Sequence, residues 1–229
     1  MNLPVADNKS PDLVPEIPES VPESMAGDIE LRRAAVDDAK PLAANWIANG
    51  ARMLALARRV LDAGREPGYL EKIALAAART HFHTDRRRSG VSESDAIIMI
   101  ERNFQSISRA LSMSDSIFAY VDGETAAKNT RGYFGSEFIV PAYAYAVSSI
   151  AFTADFPGLG PKCRAAVIIH QLAHFIDARI RDTAGAKGAA YDSLDHASAL
   201  FNVHCYPNFA INVSPPFPDD RFGMMRPED

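Results

Sequence analysis

The chain has few of the features that mark secreted, membrane-spanning or nucleic-acid-binding proteins. Its 229 residues include only two cysteines, Cys163 and Cys205, too few for a disulfide framework, and we expect reduced thiols. No apolar run approaches the roughly 20 residues that span a bilayer, and the first residues lack the basic and apolar regions of a secretory signal. A net charge of −5 gives no electrostatic case for nucleic acid. We therefore expect neither nucleic acid nor membrane as a partner, and a protein that is cytoplasmic or exported without a cleavable signal peptide.

The composition divides the chain into a tail and one domain. Hydrophobic residues make up 47% of the chain, enough for one well-buried core. Residues 1–28 differ, because prolines recur there among acidic residues with little large apolar content. Such a segment cannot bury enough surface to offset its conformational entropy. We predict a disordered, Pro-rich acidic tail over 1–28 and a single domain over 29–229.

Apolar residues with helical periodicity dominate the first half of the domain. They predict a helix over 40–63, ended by Gly64, and a second helix over 67–82. A third helix is expected after Ser92, which is a suitable N-cap residue with Asp95 three positions later. Its predicted buried stripe consists of Ile97, Ile100, Phe104, Ile107 and Leu111.

The second half mixes short strands with helices. The apolar segments 117–121 and 137–140 read as strands, the first followed by Asp-Gly and the second by a proline. A helix is predicted over 161–180, with Pro161 in its first turn, and further helices over 193–204 and 206–212. The whole pattern indicates an α+β domain that is predominantly helical and has a small sheet.

The helix predicted over 161–180 carries a pair of histidines at metal-ligand spacing. His170 and His174 are four residues apart, so both imidazoles project from one face, one turn apart. In the H-E-x-x-H motif of zinc peptidases, the glutamate after the first histidine is the general base that takes a proton from the attacking water. Here that position holds Gln171, an amide that cannot accept a proton near neutral pH.

The histidine pair and the residues after it resemble the aspzincin zinc metalloendopeptidases of deuterolysin and lysine-specific metalloendopeptidase type. The resemblance covers the segment from His170 to Asp182 and the later segment 202–210, and it is strongest over about 165–212. It implies a zincin-like fold with an active-site helix, a bound Zn²⁺, and His170, His174 and Asp182 as its ligands. It also implies a peptide or protein as the substrate or partner.

Two further residues belong to the expected site. His204 stands where the family has an acidic residue, and it is an alternative third or fourth ligand, because other zincins take a ligand from a downstream helix. With Asp182 and His204 both bound, the site would be four-coordinate and closed. Asp177, just beyond His174, is expected to orient an imidazole from outside the ligand shell.

The sequence departs from the family at two catalytic positions. Gln171 replaces the general base, and Gly185 stands where the family has a tyrosine that helps to bind the oxyanion. Loss of a general base costs roughly 10²–10⁴-fold in rate, and loss of an oxyanion donor costs about as much. The two losses need not multiply, because groups that act as a unit are not additive. We therefore expect a retained zinc site with weak or no peptide hydrolysis.

Three functional readings follow from this pattern. In the first, the domain binds peptides or proteins in the former substrate groove beside 137–140, with Tyr143 and Tyr145 as candidate groove residues. In the second, it is an active zinc metalloendopeptidase, either because residue 171 is glutamate in the natural protein or because Asp177 or Asp192 serves as the base. In the third, it is a non-enzymatic effector or interaction domain on a zincin scaffold.

The remaining histidines carry no comparable pattern. His81 and His83 flank a phenylalanine at a predicted helix end, and we expect them at the surface or capping that helix. His196 is expected to face solvent.

Overall fold

The structure is a computed structural model that describes residues 23–86, 90–120, 142–145 and 149–215. Within 23–28 and 142–145 it describes the backbone alone. The predicted strand at 137–140 lies outside the described residues, as do residues 1–22 of the predicted tail. No helix in the described part of the chain is long and apolar enough to cross a membrane.

The first helix, α1, spans Glu23–Ala63 and is longer than the sequence predicts. The expected start near residue 40 is wrong, and residues 23–28 of the predicted tail are helical. Pro41 lies inside this helix, although proline removes a hydrogen bond from a helix interior. Apolar residues before the proline pack into the core and favour continuation of the helix; they are Ala35, Val36 and Ala39.

The next two helices agree with the prediction. Helix α2 spans Tyr69–Phe82 and helix α3 spans Glu93–Ser112. Ser92 caps α3 by accepting a hydrogen bond from the backbone N–H of Asp95 at 3.0 Å. Four members of the predicted stripe are fully buried against the core, namely Ile97, Ile100, Phe104 and Ile107, and Leu111 packs at its edge.

A small mixed sheet follows these helices. A single turn, α4 (Ser114–Ile117), leads into β1 (Phe118–Tyr120), which lies within the predicted strand at 117–121. Strand β2 spans Ala142–Tyr145, and β3 spans Ser149–Phe152, a strand the sequence analysis did not identify. The sheet order is β1-β3-β2, with β3 parallel to β1 and antiparallel to β2.

The C-terminal part of the chain is helical but more broken than predicted. After a 3₁₀ turn at Phe156–Gly158, helix α5 spans Pro161–Ile176 and ends before residue 180. The short helices α6 and α7 span Ala189–Asp192 and His196–Leu200, so the helix predicted over 193–204 forms only over its middle residues. Helix α8 spans Cys205–Asn212, close to the prediction.

Helix α5 lies at the centre of the domain. It packs against α1, α3 and α8 on one side and against β2 and β3 on another. Its fully buried residues are Ala165, Ile168, Ile169, Leu172 and Ala173. A mostly helical α+β domain therefore holds the histidine pair on a helix that is packed against both helices and the sheet.

Candidate metal centre

Helix α5 places the two histidines of the motif side by side. The Nε2 atoms of His170 and His174 are 3.2 Å apart, and their rings meet edge to face. The apolar residues on the other side of the helix anchor its backbone in the core. The side chains of His170 and His174 keep 18% and 19% of their surface exposed. The backbone of the pair is therefore fixed, and its side chains remain accessible to an ion.

The early end of α5 brings the third predicted ligand back to the pair. Asp177 leaves the helical conformation with φ −155° and ψ 115°, and the chain then turns, with the Ile180 N–H donating to the Asp177 carbonyl at 2.9 Å. Asp182 then faces the helix. Its Oδ2 is 3.2 Å from Nε2 of His174, and its Oδ1 is 3.6 Å from Nε2 of His170.

A backbone carbonyl orients the second imidazole. Nδ1 of His174 is 2.7 Å from the carbonyl oxygen of Ile180. A carbonyl can only accept, so we assign a hydrogen to Nδ1, which leaves Nε2 as the atom that would bind a metal. Asp177 was expected to orient an imidazole, but both of its carboxylate oxygens accept hydrogen bonds from Arg179 instead. The turn after α5 supplies the orienting group from its backbone.

His204 joins the same cluster from the C-terminal side. Its Nε2 is 3.0 Å from Oδ1 of Asp182. One ligand atom each from His170, Asp182 and His204 lie within 4.8 Å of one another. The structure thus brings together all four residues that the sequence named as ligands or alternative ligands. They come from helix α5, the turn after it, and the turn before α8.

Two short backbone connections hold the segments of Asp182 and His204 together. The Arg181 N–H donates to the Phe201 carbonyl at 2.8 Å, and the Val203 N–H donates to the Arg181 carbonyl at 3.0 Å. The buried Asn202 side chain accepts from the Ala184 N–H at 3.4 Å. These bonds set the spacing of Asp182 and His204.

Sequence analysis missed the roles of Ile180 and Asn202 in this site. A backbone carbonyl leaves no trace in the residue type, so Ile180 could not have been identified. Asn202 could have been suspected, since a polar residue between the apolar residues Phe201 and Val203 of a packed segment needs hydrogen-bond partners.

The environment lowers the pKa values of His170 and Asp182, which makes the histidine neutral and the aspartate ionised. Burial, together with the neighbouring His174, lowers the pKa of His170 to about 3, so its ring is neutral at physiological pH. Burial alone would raise the pKa of Asp182, but hydrogen bonds with His174 and His204 outweigh it and hold the pKa well below its usual range. The cluster therefore offers a neutral imidazole and an ionised carboxylate, the protonation states that bind a metal.

The donor set and its spacing could hold a divalent transition metal ion such as zinc. Zinc binds histidine nitrogen and carboxylate oxygen at about 2.0–2.2 Å, which puts neighbouring ligand atoms of a tetrahedron about 3.3–3.6 Å apart. The three contacts among His170, His174 and Asp182 measure 3.2, 3.2 and 3.6 Å. These distances agree with one ion shared by all three side chains.

Gln171 and Gly185 stand where the family resemblance leads us to expect catalytic residues, and they lie in different environments. Gln171 is buried, with 7% of its surface exposed, on the same helix as the histidine pair. Gly185 lies exposed in the loop after Asp182, and a Cβ there would meet nothing nearer than the Lys187 carbonyl at 3.8 Å. Asp192 is exposed at the last position of α6. The side chains of Tyr143 and Tyr145, the predicted groove residues, lie outside the described residues, although their backbone forms β2.

The other histidines are buried, which corrects the expectation of surface positions, but His83 is the C-cap residue of α2, in line with the capping alternative. Nδ1 of His81 is 2.8 Å from the Tyr191 hydroxyl, and Nδ1 of His196 donates to the Phe82 carbonyl at 2.8 Å. His83 is buried beside Tyr191 and lies 3.2 Å from its carbonyl oxygen. These rings join α2 to the C-terminal helices. They are structural residues of the core, separate from the ligand cluster.

Both cysteines are free thiols, as expected. No family model, curated protein or solved structure matches this chain. The cluster of His170, His174, Asp182 and His204 is therefore the main indication of function in the described part of the chain.

Proposed function

We propose that this protein is a zinc-binding domain of zincin-like, aspzincin type that has lost efficient peptide hydrolysis. The observation that carries the proposal is the convergence of His170, His174 and Asp182 at distances suited to one shared ion. His170 and His174 bind through Nε2, and Asp182 binds through its carboxylate. The Ile180 carbonyl keeps the His174 ring turned toward the ion.

A zinc ion held by these three side chains alone would keep one position open and would supply a Lewis acid there. Efficient peptide hydrolysis also needs a base and an oxyanion donor from the protein. Gln171 can donate and accept hydrogen bonds but cannot take up a proton, and Gly185 has no side chain. Either loss alone lowers the rate by roughly 10²-fold or more. The metal site is therefore retained while the proton-transfer machinery is missing.

Metal content tests the first part of the proposal. Protein purified without chelator is expected to contain about one zinc per chain by elemental analysis, and stripped protein is expected to rebind one Zn²⁺ in a competition titration. His170→Ala should abolish stoichiometric binding. Asp177→Asn is the matched control, because Asp177 lies near the cluster but its carboxylate binds Arg179, and it should bind like the parent. Absence of metal in the parent protein, or equal binding by His170→Ala, would refute the proposal.

Restoring the missing groups tests the second part. The exposed Gly185 has open space around it and no positive φ, so Gly185→Tyr requires no backbone strain. We expect no measurable casein cleavage by the parent protein and little by Gln171→Glu alone. Full activity from Gln171→Glu alone would contradict the proposed loss at both positions, and it would favour an active peptidase whose natural residue 171 is glutamate. Activity only in the double variant would support the loss of both groups.

A further inference from the structure

We propose that His204 is a fourth protein ligand, so that the ion is held by three imidazoles and one carboxylate in a closed centre. This inference rests on the proposed zinc site and specifies its coordination. A closed centre is structural, because zinc sites that do chemistry keep one position free for water or substrate. The ion would then join three segments of the chain instead of acting on a substrate.

The position of the His204 ring carries the inference. Its Nε2 is 3.0 Å from Oδ1 of Asp182, and its ring centroid is 4.9 Å from that of His170. The corresponding distance between the His170 and His174 rings is 4.8 Å. The rings of His204 and His174 thus lie at nearly the same distance from the ring of His170. Its side chain is 25% exposed, close to the values for the other two rings.

The backbone around His204 prevents the ring from moving far from the cluster. A β-bridge between Arg181 and Asn202 fixes the backbone just before His204. Helix α8 begins immediately after His204, and its first residues Cys205 and Tyr206 are fully buried. A side chain on a fixed backbone has only its own rotamer entropy to lose when it binds an ion. The backbone therefore holds His204 beside Asp182 and His170, where its ring can bind the same ion.

The contacts of the carboxylate allow two arrangements of His204. Asp182 directs Oδ2 to His174 and Oδ1 to both His170 and His204. In the competing arrangement, His204 donates a hydrogen bond to a metal-bound Asp182 and leaves one position of the ion open. The two arrangements differ in the number of imidazoles bound to the ion and in access of small anions to it.

The test uses the full chain loaded with Zn²⁺ and, separately, with Co²⁺. X-ray absorption of the zinc protein counts imidazole ligands, and we expect three in the parent and two in His204→Ala. Azide added to the cobalt protein changes the visible spectrum only if a position is open. We expect no change in the parent and a saturable change in His204→Ala. His204→Ala should also weaken zinc affinity by more than the roughly 10–100-fold that follows loss of an outer-shell partner.

Each outcome separates this inference from the proposed function. Two imidazoles and an azide-sensitive spectrum in the parent protein would overturn the closed centre and leave the zinc site standing. Failure of the parent to bind either metal would overturn both. The parent measurements decide the question even if His204→Ala does not fold. Asp177→Asn serves again as control, and it is expected to match the parent in ligand count and azide response.

Discussion

A metal that joins three segments should raise the stability of the folded domain as the free metal concentration rises above Kd. The ligands come from α5, from the turn that carries Asp182, and from the turn that carries His204. Only folding brings these segments together, so the unfolded chain keeps at most the weak pair His170 and His174 on a fraying helix. Binding to the folded state alone adds RT ln(1 + [Zn]/Kd) to the free energy of unfolding.

The expected magnitude follows from that relation. At free zinc 100 times Kd the gain is about 2.7 kcal/mol, and a domain of this size shifts its Tm by roughly 2–4 °C per kcal/mol. We therefore expect the Tm to rise by about 5–11 °C over the chelated protein. If His170→Ala weakens binding 100-fold, the same free zinc leaves a gain of about 0.4 kcal/mol, or about 1–2 °C.

Thermal unfolding followed by circular dichroism, with free zinc set by a metal buffer, measures these shifts. The chelated parent and the chelated His170→Ala variant give the baselines, so any intrinsic effect of the substitution is removed. Asp177→Asn should show the full shift. The reasoning is refuted if zinc fails to raise the Tm of the parent, or if His170→Ala responds to zinc as strongly as the parent does.

Three further predictions concern the scaffold. Gly50→Ala should lower the free energy of unfolding by about 1 kcal/mol, because the new Cβ would lie 2.7 Å from the buried Phe104 ring. This overpacking exceeds the gain in helix propensity. Urea titration measures the change, and a gain in stability would contradict the prediction. Ser92→Ala should cost about 1 kcal/mol in the same assay through loss of the cap on the Asp95 N–H, and no change would show that the cap is dispensable. Burial, with a contribution from the neighbouring His83, lowers the pKa of His81 from 6.5 to about 3. Between pH 6.5 and pH 3 the unfolded chain therefore binds a proton at His81 that the folded chain does not bind. The free energy of unfolding should reach its full value above pH 6.5 and fall toward pH 3, by about 1.4 kcal/mol per pH unit from this residue.

Matched variants isolate the causes of these effects. In the double variant with Phe104→Leu, the cost of Gly50→Ala should shrink, because the smaller side chain frees the space that the new methyl group needs. For the pH dependence, urea titrations of the chelated protein at several pH values should be compared with those of His81→Gln. The variant should lose stability less steeply below pH 6.5, and an equal slope would exclude His81 as the source.

The helical part of the fold was largely predictable because its causes are local. The capping pair Ser92 and Asp95 and the apolar stripe after them set α3 from its own residues. The start of α1 was not predictable, since the segment before Pro41 is helical through burial against other elements. Strand β3 was missed for a related reason, because its pairing with β1 and β2 is a contact between distant parts of the chain.

The sequence by itself determined the ligand types, since the four-residue spacing of His170 and His174 on an apolar helix places two imidazoles on one face. It also named Asp182 and His204 as partners, but it left open whether they reach the pair. Tertiary structure decided that point: the end of α5 at Ile176 reverses the chain, and the bridge between Arg181 and Asn202 sets both residues against the helix. Helical spacing is fixed within a few residues of chain. The meeting of segments far apart in sequence depends on the packing of the whole domain.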